Sequence, residues 1–235
     1  MSLPLFDDYD LRARFSVGLL YGLPFFVDIL PQLWESWGFL PAVACYGALA
    51  CICQGIGQVV RNMGTQKAQP DRAAELLMPE SSLSAVTKGR YYRKLAQLES
   101  EFYPFEMLLS KPEKLAQPET EDLCKEAVRW VRGQTRDSKR FHFLREENIN
   151  YGFCRNMLAL KWPGIIANLA AIIVFVFACR REMTCMEIAA QPGVILHGLW
   201  LVYLFLGVNQ DSVKKAAGRY AYALLETIDL LKSTK

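Results

Sequence analysis

The chain has 235 residues, 52% of them hydrophobic and 22% charged, with a mean hydropathy of +0.10. The length allows one or two domains, but long uncharged apolar runs sit beside a charge-rich middle, the pattern of a membrane protein and not of an ordinary globular domain. With 27 Lys and Arg against 24 Asp and Glu, the net charge of +3 is too small for electrostatic binding of a nucleic-acid duplex.

Crossing the hydrocarbon core of a bilayer, about 30 Å thick, takes roughly 20 residues of helix, and four stretches qualify. The first, from about Phe15 to Leu33, carries Pro24, Asp28 and Pro31, yet Phe15, Val17, Leu19, Leu20, Phe25, Phe26 and Ile29 give it an apolar surface. The acidic opening Asp7, Asp8 and Asp10 lacks the basic start of a cleaved signal peptide, so this span is expected to be kept. The second runs from Gly38 to Val60 without a charge.

Residues 61–161 show no alternating β-branched pattern, so they read as helical. After a loop from Gly64 to Pro79, Tyr91, Leu95, Leu98, Phe102 and Phe105 recur at helical spacing and predict one buried stripe, disturbed at Pro104. A second helix begins near Pro118, with Glu119, Glu121 and Asp122 at its positive end. It is expected to bury Leu123, Ala127, Trp130 and Val131 and to fade at Gly133. The densest polar chemistry follows, from Thr135 to Arg155. Arg132, Arg136, Arg140, Arg145 and Arg155 offer planar donors for phosphate or carboxylate. Asn148, Asn150 and Asn156 could read a base or an amide, and Tyr151 and Phe153 could stack. The plainer reading is a juxtamembrane segment that snorkels its cations and pairs them with Glu146, Glu147 and Asp137.

The third apolar run, Trp162 to Cys179, stops at Arg180 and Arg181, and the fourth runs from Ile188 to Gln210. Beyond it Val213, Ala217, Tyr220, Leu224, Ile228 and Leu231 form an amphipathic stripe. Its other face mixes Lys214 and Lys215 with Glu226 and Asp229, which argues against simple adhesion to anionic lipid and for packing on other helices or a neighbouring copy.

Cations set the expected orientation. Arg12 and Arg14 precede span one, Arg61, Lys67 and Arg72 follow span two, Arg145, Arg155 and Lys161 precede span three, and Lys214, Lys215 and Arg219 follow span four. The turns Trp34 to Phe39 and Arg180 to Glu187 hold only Arg180 and Arg181. Trp34, Trp37 and Trp162 suit interface positions, with Trp200 deeper. The chain therefore reads as an all-α integral membrane protein with both termini cytoplasmic. Residues 1–60 form transmembrane hairpin one (spans 15–33 and 38–60) and residues 61–161 a helical cytoplasmic domain. Residues 162–210 form hairpin two (spans 162–179 and 188–210), and residues 211–235 a cytoplasmic amphipathic helix.

Polar groups inside the spans are costly to leave facing lipid. Asp28 and His197 fall at similar depth, as do Gln54 and Asn168, so each couple is an expected contact. They line a pore or proton path on one reading and fix the bundle by interhelical hydrogen bonds on the other. Gly18 with Gly22, and Ala44, Ala48, Cys51 and Gly55, mark two faces of small residues. The span-two face is expected to pack within the chain, whereas span one could equally serve a homo-oligomer.

No catalytic motif is present: there is no GxxxxGK[ST], GxSxG or HExxH. The two histidines, His142 and His197, lie on opposite sides of the expected interface, so no His-based metal cluster, and no cofactor site, is expected. Cys45, Cys51, Cys53, Cys124 and Cys154 have no metal-binding spacing. Cys179 and Cys185 could form a disulfide if their side is oxidising, or stay free.

The run T-R-D-x-x-x-F followed by E-N-x-x-Y-G-F-x-R-N is formed by Thr135, Arg136, Asp137 and Phe141, then Glu147, Asn148, Tyr151, Gly152, Phe153, Arg155 and Asn156. With the opening Asp8-Tyr9-Asp10-Leu11-Arg12-Ala13-Arg14, it resembles a family of small four-span bacterial membrane proteins. Cys154 stands where the pattern leads one to expect a second arginine. The two-hairpin plan looks like that of membrane effectors of phage-defence systems. The resemblance implies a non-enzymatic protein whose cytoplasmic helices take a nucleotide or protein signal and whose spans oligomerise or open in the lipid bilayer. On that reading Thr135, Arg136, Asp137, Asn148, Tyr151, Arg155 and Asn156 are the candidate ligand-binding set. The alternative is a structural anchor that holds a soluble partner at the membrane.

Overall fold

The computed structural model of the chain describes residues 8–37, 39–64, 71–110 and 116–232, the side chains at 30–37, 39, 42, 53, 56, 57, 59–61, 63 and 64 excepted. Of the residues used above, Asp7, Pro31, Leu33, Trp34, Trp37, Gly38, Phe39, Cys53, Val60, Arg61, Gly64 and Lys67 lie outside those described residues or side chains. Among the described residues all regular structure is helical and no strand occurs. By packing the chain divides into two units, Met1–Lys67 with Ile149–Val213, and Ala68–Asn148 with Lys214–Lys235.

In the first unit α1 (Asp8–Asp10), a π-helical turn (Leu11–Phe15) and α2 (Ser16–Trp37) follow one another directly, and α3 (Phe39–Gly64) starts one residue later. The helices α2 and α3 run antiparallel. Gly18 meets the Ala50 carbonyl, Gly22 lies against Tyr46 and Leu49, and the Tyr46 hydroxyl donates to the Leu19 carbonyl at 2.5 Å. A Cβ at position 18 would overlap the Ala50 oxygen, so the bare glycine is what lets the backbones touch. Of the two small-residue faces, the one expected to pack within the chain, on span two, does not form the α2–α3 seam. Gly18 and Gly22 make the seam within the chain, while Ala44, Ala48, Cys51 and Gly55 lie on the exposed side of α3. Small residues permit a close approach on either face; the rings of Phe26 and Tyr46, 4.6 Å apart, select the one that makes it.

The helix α8 (His142–Cys179) has 38 residues and is about 57 Å long. The expected third span is its C-terminal half, and the Arg- and Asn-rich residues from His142 onward are the N-terminal half of the same rod. Pro163 lies inside without ending it. Among the described residues α8 alone is, by itself, long and apolar enough to cross a membrane, with a mean hydropathy of 2.2 over its best window. The fourth expected span is not one rod. Thr184 and Glu187 close a capping box on α9 (Cys185–Ala189), and the extended Gln191 and Pro192 then start α10 (Pro192–Leu206) afresh. A proline at the first helical position loses no hydrogen bond, which makes this a natural restart. At 15 residues α10 spans about 22 Å, short of the hydrocarbon core. It runs antiparallel to α8: Lys161 donates to the Val208 carbonyl at 2.6 Å, Gly164 lies by Leu204, and Asn168 meets His197.

The core of this unit holds Val17, Tyr21, Met157, Leu160, Ile165, Leu204 and Val208. Met157 and Leu160 tie residues 149–161 to the apolar helices, so the division between units falls at Ile149, ahead of the segment boundary read from charge at 161. Cys179 and Cys185 are both free thiols.

The second unit contains α4 (Arg72–Leu77), α5 (Ala85–Leu98), a 3-10 turn (Ser100–Phe102), α6 (Pro104–Ser110), α7 (Gln117–Gln134) and most of α11 (Gln210–Leu230). Tyr91, Leu95, Leu98, Phe102 and Phe105 are all buried. Pro104 splits their stripe and opens α6, because its ring fits the first turn of a helix and not the interior. Ala127 and Val131 of α7 are buried, with Leu123 and Trp130 packed at the margin. From α11, Leu224 and Ile228 complete the core. Lys88, 8% exposed, donates to the Pro79 and Ser81 carbonyls at 2.5 and 3.2 Å, so the buried ammonium closes the turn after α4.

Candidate functional site

The expected Asp28–His197 contact is present in the first unit and gains a third member. His197 Nε2 lies 2.8 Å from Asp28 Oδ2, and Nδ1 lies 2.6 Å from Asn168 Oδ1. Asn168 also donates through Nδ2 to the Gly164 carbonyl at 2.7 Å. The ring of Phe25 stands edge-on to the imidazole, 5.0 Å away. The expected Gln54–Asn168 contact is replaced, because the Asn168 amide is taken by the imidazole and by its own helix. Gln54 instead lines a cleft with Arg14, Val17, Gln58, Asn156 and Leu160.

The seven residues of the ligand-binding set are divided between the units. Thr135, Arg136, Asp137 and Asn148 belong to the second, Tyr151, Arg155 and Asn156 to the first. Thr135 and Asp137 have local roles. The Thr135 hydroxyl donates to the Val131 carbonyl at 2.9 Å at the end of α7, and Asp137 accepts from the backbone N–H of Lys139 at 3.0 Å in the turn before α8. Arg136 is exposed and Asn148 half-buried. Other arginines of this region are engaged: Arg132 pairs with Asp71 at 2.9 Å and Arg140 donates to the Leu230 carbonyl at 2.8 Å. Burial, the largest single influence, pulls the Arg132 guanidinium toward losing its proton, and the charges and hydrogen bonds of Asp71 and Tyr220 together outweigh it, so it is held above its ordinary value.

In the first unit, Tyr151, Arg155 and Asn156 meet a partner that the sequence did not reveal. Asn156, on α8, donates to the Ala13 carbonyl in the π-helical turn at 2.6 Å. The Tyr9 ring lies on Gly152, where a Cβ would overlap it. Arg14 pairs with Asp10 at 2.5 Å and stacks over Tyr9, as Arg155 stacks over Tyr151 with its guanidinium carbon 5.8 Å from the ring centroid. The D-Y-D-L-R-A-R opening and the Y-G-F-C-R-N stretch are therefore one constellation. The Nε atoms of both Arg14 and Arg155 are buried without a hydrogen-bond partner among the described residues. Gly152 was the one available signal of this contact, since a helical glycine often marks a close approach.

The convergent groups are donors and acceptors of hydrogen bonds; among the described residues no three His, Cys, Asp or Glu side chains come together. No family model, curated protein or solved structure matches the chain. Fold and site together define an all-helical protein with one helix able to cross a membrane and polar groups clustered on that same helix.

Proposed function

We propose that the chain is a non-enzymatic membrane effector, of the kind that ends a bacterial phage-defence response. Its polar helices receive a signal from the cytoplasm, and its apolar helices oligomerise or open to breach the inner membrane. In this reading α2 with α3, and α8 with α10, are the two transmembrane hairpins, and both termini are cytoplasmic. The observation that carries the reading is the continuity of α8. Tyr151, Arg155 and Asn156 lie on the same unbroken helix as the apolar residues from Trp162 to Cys179, so a ligand that shifts Arg155 acts directly on the segment in the bilayer. The orphaned Arg155 Nε–H is a donor suited to the phosphate of a nucleotide signal, since a buried donor without a partner is costly. Exposed Trp162, Ile166, Ile173, Val174 and Phe177 suit a lipid surround better than water.

Expression in a bacterial host is expected to arrest growth and admit a membrane-impermeant dye. Replacing Arg155 by alanine is expected to abolish both effects; toxicity that persists unchanged removes the proposed site. A second reading, an anchor for a soluble partner, draws on the exposed apolar residues Val86, Tyr103, Met107 and Leu109 of the second unit. A stable stoichiometric partner recovered in mild detergent, with no dye entry, favours that reading.

A further inference from the structure

The hydrogens around His197 are fixed by what its neighbours can accept. The Gly164 carbonyl only accepts, so the Asn168 amide nitrogen faces it and the amide oxygen faces the imidazole. His197 Nδ1 therefore carries a hydrogen. On the other side, Asp28 directs Oδ1 to the first turn of α10, close enough that a Cβ on Gly193 would overlap it. The opening turn of this 15-residue helix presents N–H groups that have no carbonyl partner within the helix, so Oδ1 faces donors and the geometry is that of a carboxylate. An ionised carboxylate only accepts, so Nε2 must also carry a hydrogen to bond Asp28 Oδ2. A neutral imidazole has one N–H and satisfies only one of these two acceptors.

We propose that Asp28, His197 and Asn168 form a proton-binding site in which His197 is held as an imidazolium whose two N–H groups fasten α2 and α8 to α10. The ligand is one proton beyond the neutral ring. Its positive charge balances the carboxylate, so the pair adds no net charge, and the 2% exposure of His197 buries the bond to Asn168, while the bond to Asp28 is partly buried. Losing that proton leaves the Nε2 lone pair facing a carboxylate, and the contact between α2 and α10 becomes repulsive. The joint between three helices thus depends on a bound proton. On the packed helices Tyr21 of α2 donates to the Met157 carbonyl, Tyr46 of α3 to the Leu19 carbonyl and Lys161 of α8 to the Val208 carbonyl, Glu187 of α9 accepts from Thr184, and the Tyr203 ring of α10 packs on Trp200. Cys179 of α8 and Cys185 of α9 are free thiols. The inference rests on hydrogen-bond chemistry alone and stands or falls separately from the effector reading.

The chain has two histidines, which makes the test unambiguous. In full-length protein with 15N-labelled histidine, purified in detergent at neutral pH, His142→Gln leaves His197 as the sole ring signal. Two protonated ring nitrogens are expected. Adding Asp28→Asn, whose amide has the shape of the carboxylate and can donate to Nε2, is expected to leave one protonated nitrogen and one bare nitrogen. A single protonated nitrogen in the protein with Asp28 intact overturns the proposal, as do two protonated nitrogens in Asp28→Asn. If Asp28→Asn fails to fold, the spectrum with Asp28 intact still decides.

Discussion

The Cys124 thiol sits in the core of the second unit, where burial, with a smaller contribution from the Glu121 charge, pushes its pKa from 9.0 up to about 12. The neighbouring Tyr92 is also raised by burial, its hydroxyl donating to the Leu77 carbonyl. Because the folded value of Cys124 lies above the unfolded one, the stability it contributes is intact below about pH 9 and is lost as pH climbs through about 12. A denaturant series across that window is expected to show a steady alkaline loss, made shallower by Cys124→Ala; superimposable profiles contradict the burial argument. At this scale the sequence was partly legible. The buried stripe from Tyr91 to Phe105 followed from helical spacing, and the Asp28–His197 contact from equal depth in two apolar runs. The bond from Asn156 to Ala13 was not legible, because a backbone carbonyl carries no sequence signature and the residues lie 143 apart.

Among the elements, α2 and α3 depend on one missing side chain. Gly18→Ala sets a methyl against the Ala50 carbonyl, which is backbone and does not yield, so a loss of about 1–3 kcal/mol is expected. Gly55 of α3 has open space around its Cβ position; there alanine is expected to be neutral or to stabilise by up to about 1 kcal/mol through helix propensity. Thermal unfolding in detergent compares the two, and equal effects contradict the seam. The extent of α8 was hidden from sequence reasoning because Pro163 and the change from polar to apolar at Trp162 both look like a helix start, whereas the helix passes through them. The single fourth span was over-read for the opposite reason. Uncharged residues alone suggested continuity, and the capping of α9 by Thr184 and the restart at Pro192 break it.

For the molecule as a whole, composition was enough to separate apolar from polar segments, and packing then placed residues 149–161 with the apolar helices. That membership puts the constellation of Tyr9, Arg14, Tyr151 and Arg155 in the same unit as the Asp28–His197–Asn168 triad. It also makes α8 the element on which the account turns. The chain's own cysteines test whether α8 crosses a membrane, since Cys154 and Cys179 lie on it about 37 Å apart, more than the thickness of the hydrocarbon core. Each is kept in turn as the only cysteine, and a membrane-impermeant thiol reagent is applied to intact cells and to inverted inner-membrane vesicles. Labelling of Cys179 from the outside and of Cys154 only in the inverted vesicles is the expected result; labelling of both thiols from the same face contradicts the account.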